Sequence, residues 1–272
     1  MKTLNPPLLI EPDILEDTLS YENLLIVDLS KADTYRKLHI PGAIHLDYVH
    51  ITAGKKPVMG LLPDAATLDT LFSTIGIDAQ THVVAYDDEG GGRAARLLWT
   101  LEMAGHTQAS LLNGGLHAWA NEGHVHTDEP ATPVARQFHT RINNGPSADS
   151  GYIRARLGNA DTCLLDVRSP EEYSGMKRYA GRGGHIPGAV NIEWTNMMDP
   201  SRNLRFRTDD ELAAMLESVG ATPDREVIVY CQTHHRSAHS YIVLKHLGYT
   251  RLKGYPGSWS DWGNNPELPV ES

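Results

Sequence analysis

Short apolar runs alternate with amphipathic segments along the whole chain. Leu24 to Leu29, Val83 to Tyr86, Thr162 to Val167 and Val227 to Tyr230 are rich in β-branched residues and too short for helices. They read as strands buried on both faces. Pro63-Asp64 opens a helical pattern at Leu68, Leu71, Phe72 and Ile75, closed by Gly76. Thr208-Asp209-Asp210-Glu211 opens its counterpart through Leu212, Met215, Leu216 and Val219, closed by Gly220. Helices are also predicted over Gly92 to Ala104 and Arg236 to His246, each directly after a central strand. Buried strands alternating with helices predict an α/β fold with a mainly parallel sheet.

The pattern is written twice. Asp28 and His39-Ile40-Pro41-Gly42-Ala43 in the first half answer Asp166 and His185-Ile186-Pro187-Gly188-Ala189 in the second. The aspartates are offset by 138 (166 minus 28) and the histidines by 146 (185 minus 39). The second half therefore carries eight extra residues (146 minus 138), within Gly175 to Gly184. The strands at Val83 and Val227 are offset by 144, and Asn113 to Trp119 answers Gly254 to Trp259. A period this long is a domain duplication rather than a solenoid repeat. The expected division is a first domain over 1–126, a linker over 127–146 and a second domain over 147–272. Within that linker only Gln137 to Ile142 alternates like a strand.

Composition narrows the function classes. Of 272 residues 40% are hydrophobic and 21% charged, the balance of a folded globular protein. No apolar run approaches the ~20 residues that span a bilayer. After Met1 to Pro7 the apolar stretch Leu8-Leu9-Ile10 is too short for a secretory core and no small-residue cleavage site follows, so a cytoplasmic location is expected. The net charge of -10 argues against nucleic acid or an anionic membrane as the partner. Two cysteines, Cys163 and Cys231, cannot make a disulfide framework.

Candidate chemistry concentrates at one strand end. The strand ending at Tyr230 runs into Cys231-Gln232-Thr233-His234-His235-Arg236-Ser237 and then a helix. Open α/β sheets bind ligands beyond the carboxyl ends of their strands. A helix start there offers unpaired N–H groups and the positive end of its dipole, which would lower the pKa of Cys231. A free cysteine can equally be a small buried apolar residue, the role expected for Cys163 between a strand's apolar neighbours. His235 and His239 are four apart, but no third ligand is suggested, so neither a metal nor a cofactor is expected.

These residues resemble the rhodanese family of sulfurtransferases, in tandem over nearly the whole chain. Tyr35-x3-His39-Ile40-Pro41-Gly42-Ala43-x2-Leu46 is similar to the family's N-terminal signature, and His185 to Ala189 repeats its core. Gly254-Tyr255-Pro256-Gly257-Ser258-Trp259-Ser260-Asp261-Trp262 resembles the C-terminal signature, with Asp261 where glutamate is usual. The six-residue Cys231 to Arg236 loop has the family's active-site length and looks like a bacterial, thiosulfate-using variant. Phosphatases on this scaffold have five residues between Cys and Arg, whereas this chain has four, Gln232 to His235.

The resemblance implies two rhodanese-like domains, each a mainly parallel sheet flanked by helices, with only the second catalytic. It implies that Cys231 takes the outer sulfur of thiosulfate as a persulfide and passes it to cyanide or another thiophilic acceptor. Arg236 is then expected to pair with the substrate sulfonate or to orient the loop through an acidic neighbour. Gln232, Thr233, His234 and His235 complete the cradle. Arg182 is the expected second cation, ahead of Arg178 and Lys177 of the inserted stretch. The first half carries Asp87-Asp88-Glu89 where the second has Cys231, so it is expected to be inert. Asp28 and His39 have the spacing of a proton-transfer pair in mercaptopyruvate-using relatives, but their recurrence as Asp166 and His185 favours a structural turn. The rival functions are a 3-mercaptopyruvate sulfurtransferase and a persulfide carrier or regulatory module serving a protein partner. The chain is expected to act as a monomer.

Overall fold

A computed structural model describes residues 6–272. The chain forms two compact units. The first contains residues up to Ile51, Pro63–Asn143 and Asp199–Phe206; the second contains Thr52–Leu62, Asn144–Met198 and Arg207–Ser272.

The first unit is built on a five-stranded sheet in the order Leu9–Ile10, Ala109–Leu112, His82–Tyr86, Leu24–Asp28, Ile44–His45. Every pairing in it is parallel. The two central strands are the predicted apolar runs, and His82–Tyr86 is buried throughout. The Asp64 side chain caps helix Ala65–Ile75 by accepting from the Thr67 N–H, and Gly76 ends it at φ 94°. That conformation is open to glycine at no steric cost.

The second unit has a four-stranded parallel sheet in the order Leu252–Gly254, Glu226–Tyr230, Thr162–Asp166, Val190–Asn191. Thr208 and Glu211 cap helix Asp209–Ser218 reciprocally, as their spacing predicts. Trp259, Trp262, Tyr230, Tyr255 and Ile228 pack its core. Helix Arg236–His246 follows the central strand after a five-residue loop and is buried along most of its length.

Two segments depart from sequence order. The hairpin of Ala53–Lys55 with Val58–Leu61 clusters with the second unit, although it is written between elements of the first. Residues 199–206 cluster with the first unit in the same way. The stretch with strand-like alternation, Gln137 to Ile142, joins no sheet. Its Phe138 is buried, and nearby N–H groups bond to Ser73 Oγ, Asp69 and the Ala104 carbonyl. An extended strap satisfied by helices and loops has no ladder to join.

Candidate active site

Cys231 lies one residue beyond strand Glu226–Tyr230 and is fully buried. Its backbone is tied to the segment around Ser258: Cys231 N donates to Ser258 Oγ at 3.2 Å. The Cys231 and Gln232 carbonyls accept from the N–H groups of Trp259 and Ser260, each at 3.0 Å. The loop then turns through His234, whose φ of 56° lies in the left-handed region, and enters the helix at Arg236. Few non-glycine residues adopt that conformation, histidine, asparagine and aspartate most often among them.

The turn folds its N–H groups back toward the sulfur. Burial pushes the Cys231 thiol up, but the Arg236 charge, the Ser237 hydroxyl and the N–H groups of Ser237 and Thr233 outweigh it. The net result is a thiol below its ordinary range, which favours thiolate, the nucleophilic form. The Ser237 hydroxyl donates to Cys231 Sγ at 3.4 Å. Cys163, by contrast, is pushed up by burial and packs in the core.

Arg236 makes a two-pronged ion pair with Glu172. Its Nη1 donates to Oε2 at 2.6 Å and its Nη2 to Oε1 at 3.0 Å. Glu172 sits at the third position of the short helix Pro170–Tyr173, where it also completes a capping box with Ser169. Burial raises its carboxyl, but the Arg236 bond and charge, the Arg168 charge and the Ser169 N–H hold it below the usual range. The acidic neighbour expected for Arg236 is thus Glu172. The Ser169–Glu172 spacing is local in sequence, whereas the pairing with Arg236 lies 64 residues away.

The other expected residues are placed as follows. Gln232 reaches the inserted stretch through Nε2 to the Tyr179 carbonyl, at 3.1 Å. The Thr233 backbone lies against the hairpin, where a Cβ on Gly60 would come within 2.1 Å of the Thr233 carbonyl oxygen. Gly60 also has φ 77°. Nothing local in the sequence marks Gly60 as part of the site. His234 is buried with its Nδ1 2.8 Å from Ser237 Oγ. His235 and His239 flank the Trp194 ring, at 5.9 and 5.2 Å between centroids. Among the described residues, no group of three or more His, Cys, Asp or Glu suits a metal.

Arg182 is held by the C-terminal segment. Its guanidinium donates to the carbonyls of Leu268 at 2.7 Å, Trp262 at 2.8 Å, Gly263 at 3.4 Å, and also to that of Asn265. A planar fork with four of its N–H groups on these carbonyls clamps the C-terminal segment. Lys177 and Arg178, in the same insertion, are exposed.

Asp28 and His39 have matched counterparts. His39 stacks on Tyr35 and bonds its carbonyl through Nδ1 at 2.6 Å; His185 stacks on Tyr173 and does the same at 2.9 Å. The Tyr86 hydroxyl accepts from Ile40 N, and that of Tyr230 from Ile186 N, both at 3.1 Å. One structural corner is built twice, without reference to the cysteine.

The rhodanese-like domain family matches residues 11–122 and again 150–265. Over 265 residues the chain is 48% identical to the thiosulfate sulfurtransferase of Pseudomonas aeruginosa and 47% identical to that of Azotobacter vinelandii. In both cases 97% of this chain and 97% of the relative are covered. The solved structure of an anaerobic ergothioneine biosynthesis enzyme from Chlorobium limicola superposes with a TM-score of 0.87 at 23% identity. It covers 100% of this chain and 72% of that one, and shows the fold alone.

Proposed function

This chain belongs to the rhodanese family, and from that we propose that it is a thiosulfate sulfurtransferase working through Cys231. The thiolate attacks the outer sulfur of thiosulfate. The bond from that sulfur to the sulfonate breaks, and sulfite leaves with the electron pair. The Cys231 persulfide anion then remains in the same cradle. A thiophilic acceptor such as cyanide attacks the terminal sulfur, releasing thiocyanate and regenerating the thiolate. Splitting the transfer at a covalent intermediate predicts ping-pong kinetics.

One observation carries this reading: a buried cysteine at a central strand end whose thiolate is favoured by Arg236, Ser237 and inward N–H groups. The same donors suit the persulfide anion that follows. Arg236 acts as a fixed charge near the sulfur, held by Glu172, rather than as a free sulfonate clamp. Gln232, Thr233 and His235 shape the mouth, and Lys177 and Arg178 supply exposed positive charge on a chain of net charge -10. The first unit is a non-catalytic copy.

The partners in this reading are a small anionic donor and a thiophilic acceptor, with the chain a monomer. No helix among the described residues is long and apolar enough to cross a membrane. Both cysteines are free, which suits the reducing cytoplasm. The test is steady-state turnover with thiosulfate and with mercaptopyruvate, cyanide being the acceptor, plus mass spectrometry after thiosulfate treatment. The expected result is preference for thiosulfate and one added sulfur on Cys231. Preference for mercaptopyruvate, or sulfur on Cys163, would reject the assignment.

A further inference from the structure

We propose that His234 is a positioning residue that sets the state of the Cys231 sulfur through the Ser237 hydroxyl. The inference rests on the sulfurtransferase reading of Cys231 and concerns how its thiolate is kept available.

Three side chains form a continuous buried line. His234 Nδ1 lies 2.8 Å from Ser237 Oγ, and that hydroxyl donates to Cys231 Sγ at 3.4 Å. Each of the three residues is completely buried. A thiolate can only accept, so the Ser237 proton must point at the sulfur. The Ser237 oxygen is then left to accept, which requires His234 Nδ1 to carry its proton. The direction of the whole line follows from the charge at its end. A hydroxyl that accepts one hydrogen bond becomes a stronger donor in the next.

The backbone supports this placement. His234 adopts φ 56°, in the left-handed region that glycine enters most freely. The equivalent position of the first unit is Gly90, 144 residues earlier (234 minus 90), with φ 94°. A glycine would serve the turn there with no steric cost. The second unit holds an imidazole in this left-handed position, and that imidazole reaches the residue that bonds the sulfur. In the first unit Arg93 stands where Ser237 stands (237 minus 144), so the line has no hydroxyl in the copy lacking a cysteine.

The line moves no proton in either half-reaction. It stabilises sulfur-centred charge when thiolate attacks and again when thiolate leaves during discharge. Its loss should therefore raise the apparent thiol pKa and slow discharge of a preformed persulfide.

The test is the pH dependence of iodoacetamide alkylation at Cys231, with cyanide discharge followed by stopped flow. Ser237→Ala should raise the apparent pKa by about one unit, roughly a tenfold loss of thiolate below it. His234→Gly should raise it by about half as much and slow discharge about threefold. His234→Asn should stay near wild type, because asparagine accepts the left-handed backbone and places an N–H donor close to the Nδ1 position. In a Ser237→Ala background, His234→Gly should add nothing, since the imidazole acts only through the hydroxyl. Circular dichroism and thermal melts confirm that each variant is folded. An unmoved pKa in Ser237→Ala, a His234→Asn variant no better than His234→Gly, or additive losses in the double variant would overturn the proposal. Alkylation needs no thiosulfate, so failure of wild-type Cys231 to load sulfur would instead count against the sulfurtransferase reading alone.

Discussion

The two strand-end loops share a backbone cradle and differ in what fills it. In the second unit, the N–H groups of Thr233 and Ser237 favour charge on the Cys231 sulfur. In the first, Asp87 stands in place of the cysteine, 144 residues earlier (231 minus 87). Its carboxylate accepts from the N–H groups of Glu89 at 2.9 Å, Gly91 at 2.8 Å, Arg93 at 2.9 Å and Ala94 at 3.0 Å. Glu89 and Arg93 are the counterparts of Thr233 and Ser237. The same nest thus holds a carboxyl group in one unit, pushed up by burial and the Glu89 charge against these N–H groups, and a cysteine in the other. Charge at the rim differs as well. Arg93 is spent on Asp88 and Glu89, at 3.4 and 3.3 Å, and Gly92 replaces Arg236. Duplication preserved the cradle, and the side chains decide whether it can react.

The sharpest way to break this comparison is to exchange the groups in the cradles. Cys231→Ala should abolish sulfur transfer with the fold intact, whereas Cys163→Ala should keep most activity. Placing Asp87→Cys in the Cys231→Ala background should restore no turnover in the thiosulfate–cyanide assay. The new thiol would sit beside Asp88 and Glu89 with no cation in the Arg236 position, and like charge opposes both thiolate formation and anion approach. Measurable turnover would mean that the cradle alone suffices.

A smaller effect is expected at Arg236. Arg236→Ala removes the positive charge beside the sulfur and leaves Glu172 buried without its partner. A charge-assisted contact of about 1.5–3 kcal/mol predicts a fall in kcat/KM of one to two orders of magnitude. Arg236→Lys should rescue only in part, because an ammonium cannot match both Glu172 oxygens. Stopped-flow measurement should find the loss in both loading and discharge, since the charge serves the loop and the sulfur. A loss confined to loading would return Arg236 to the role of sulfonate clamp.

The mildest change is expected at Gly60. A methyl group there meets the Thr233 carbonyl and a left-handed backbone together. Gly60→Ala should cost about 1–3 kcal/mol of stability in denaturant unfolding. Turnover should drop several-fold as the loop shifts. Gly42→Ala has a similar φ of 78° with open space around it. It should lose stability from backbone strain alone and leave turnover unchanged. Equal effects on turnover would detach the hairpin from the site.

Much of the fold was legible because its signals are local. Strands buried on both faces must be nearly all apolar, so Val227 to Tyr230 and Val83 to Tyr86 announce themselves. Asp64 and Thr208 mark helix starts because capping is satisfied within three residues. Cys231 was legible for the same reason: its strand, its loop length and the following helix are contiguous. The strand-like alternation of Gln137 to Ile142 forms no strand, because burial of Phe138 against Phe72 and His106 produces the same pattern as a sheet edge.

By itself, then, the sequence determined the duplicated α/β architecture, the position of the cysteine and the acidic substitution at Asp87. Each depends on residues adjacent in the chain or on a repeat visible by offset. Tertiary structure alone decided the partners. It gave Arg236 to Glu172, turned Arg182 onto four C-terminal carbonyls, laid Gly60 against Thr233 and aligned His234, Ser237 and Cys231. An arginine carries the same charge and the same donors wherever it is written. Which acceptors it meets depends on residues 64 or more positions away in the chain, brought close only when the core packs.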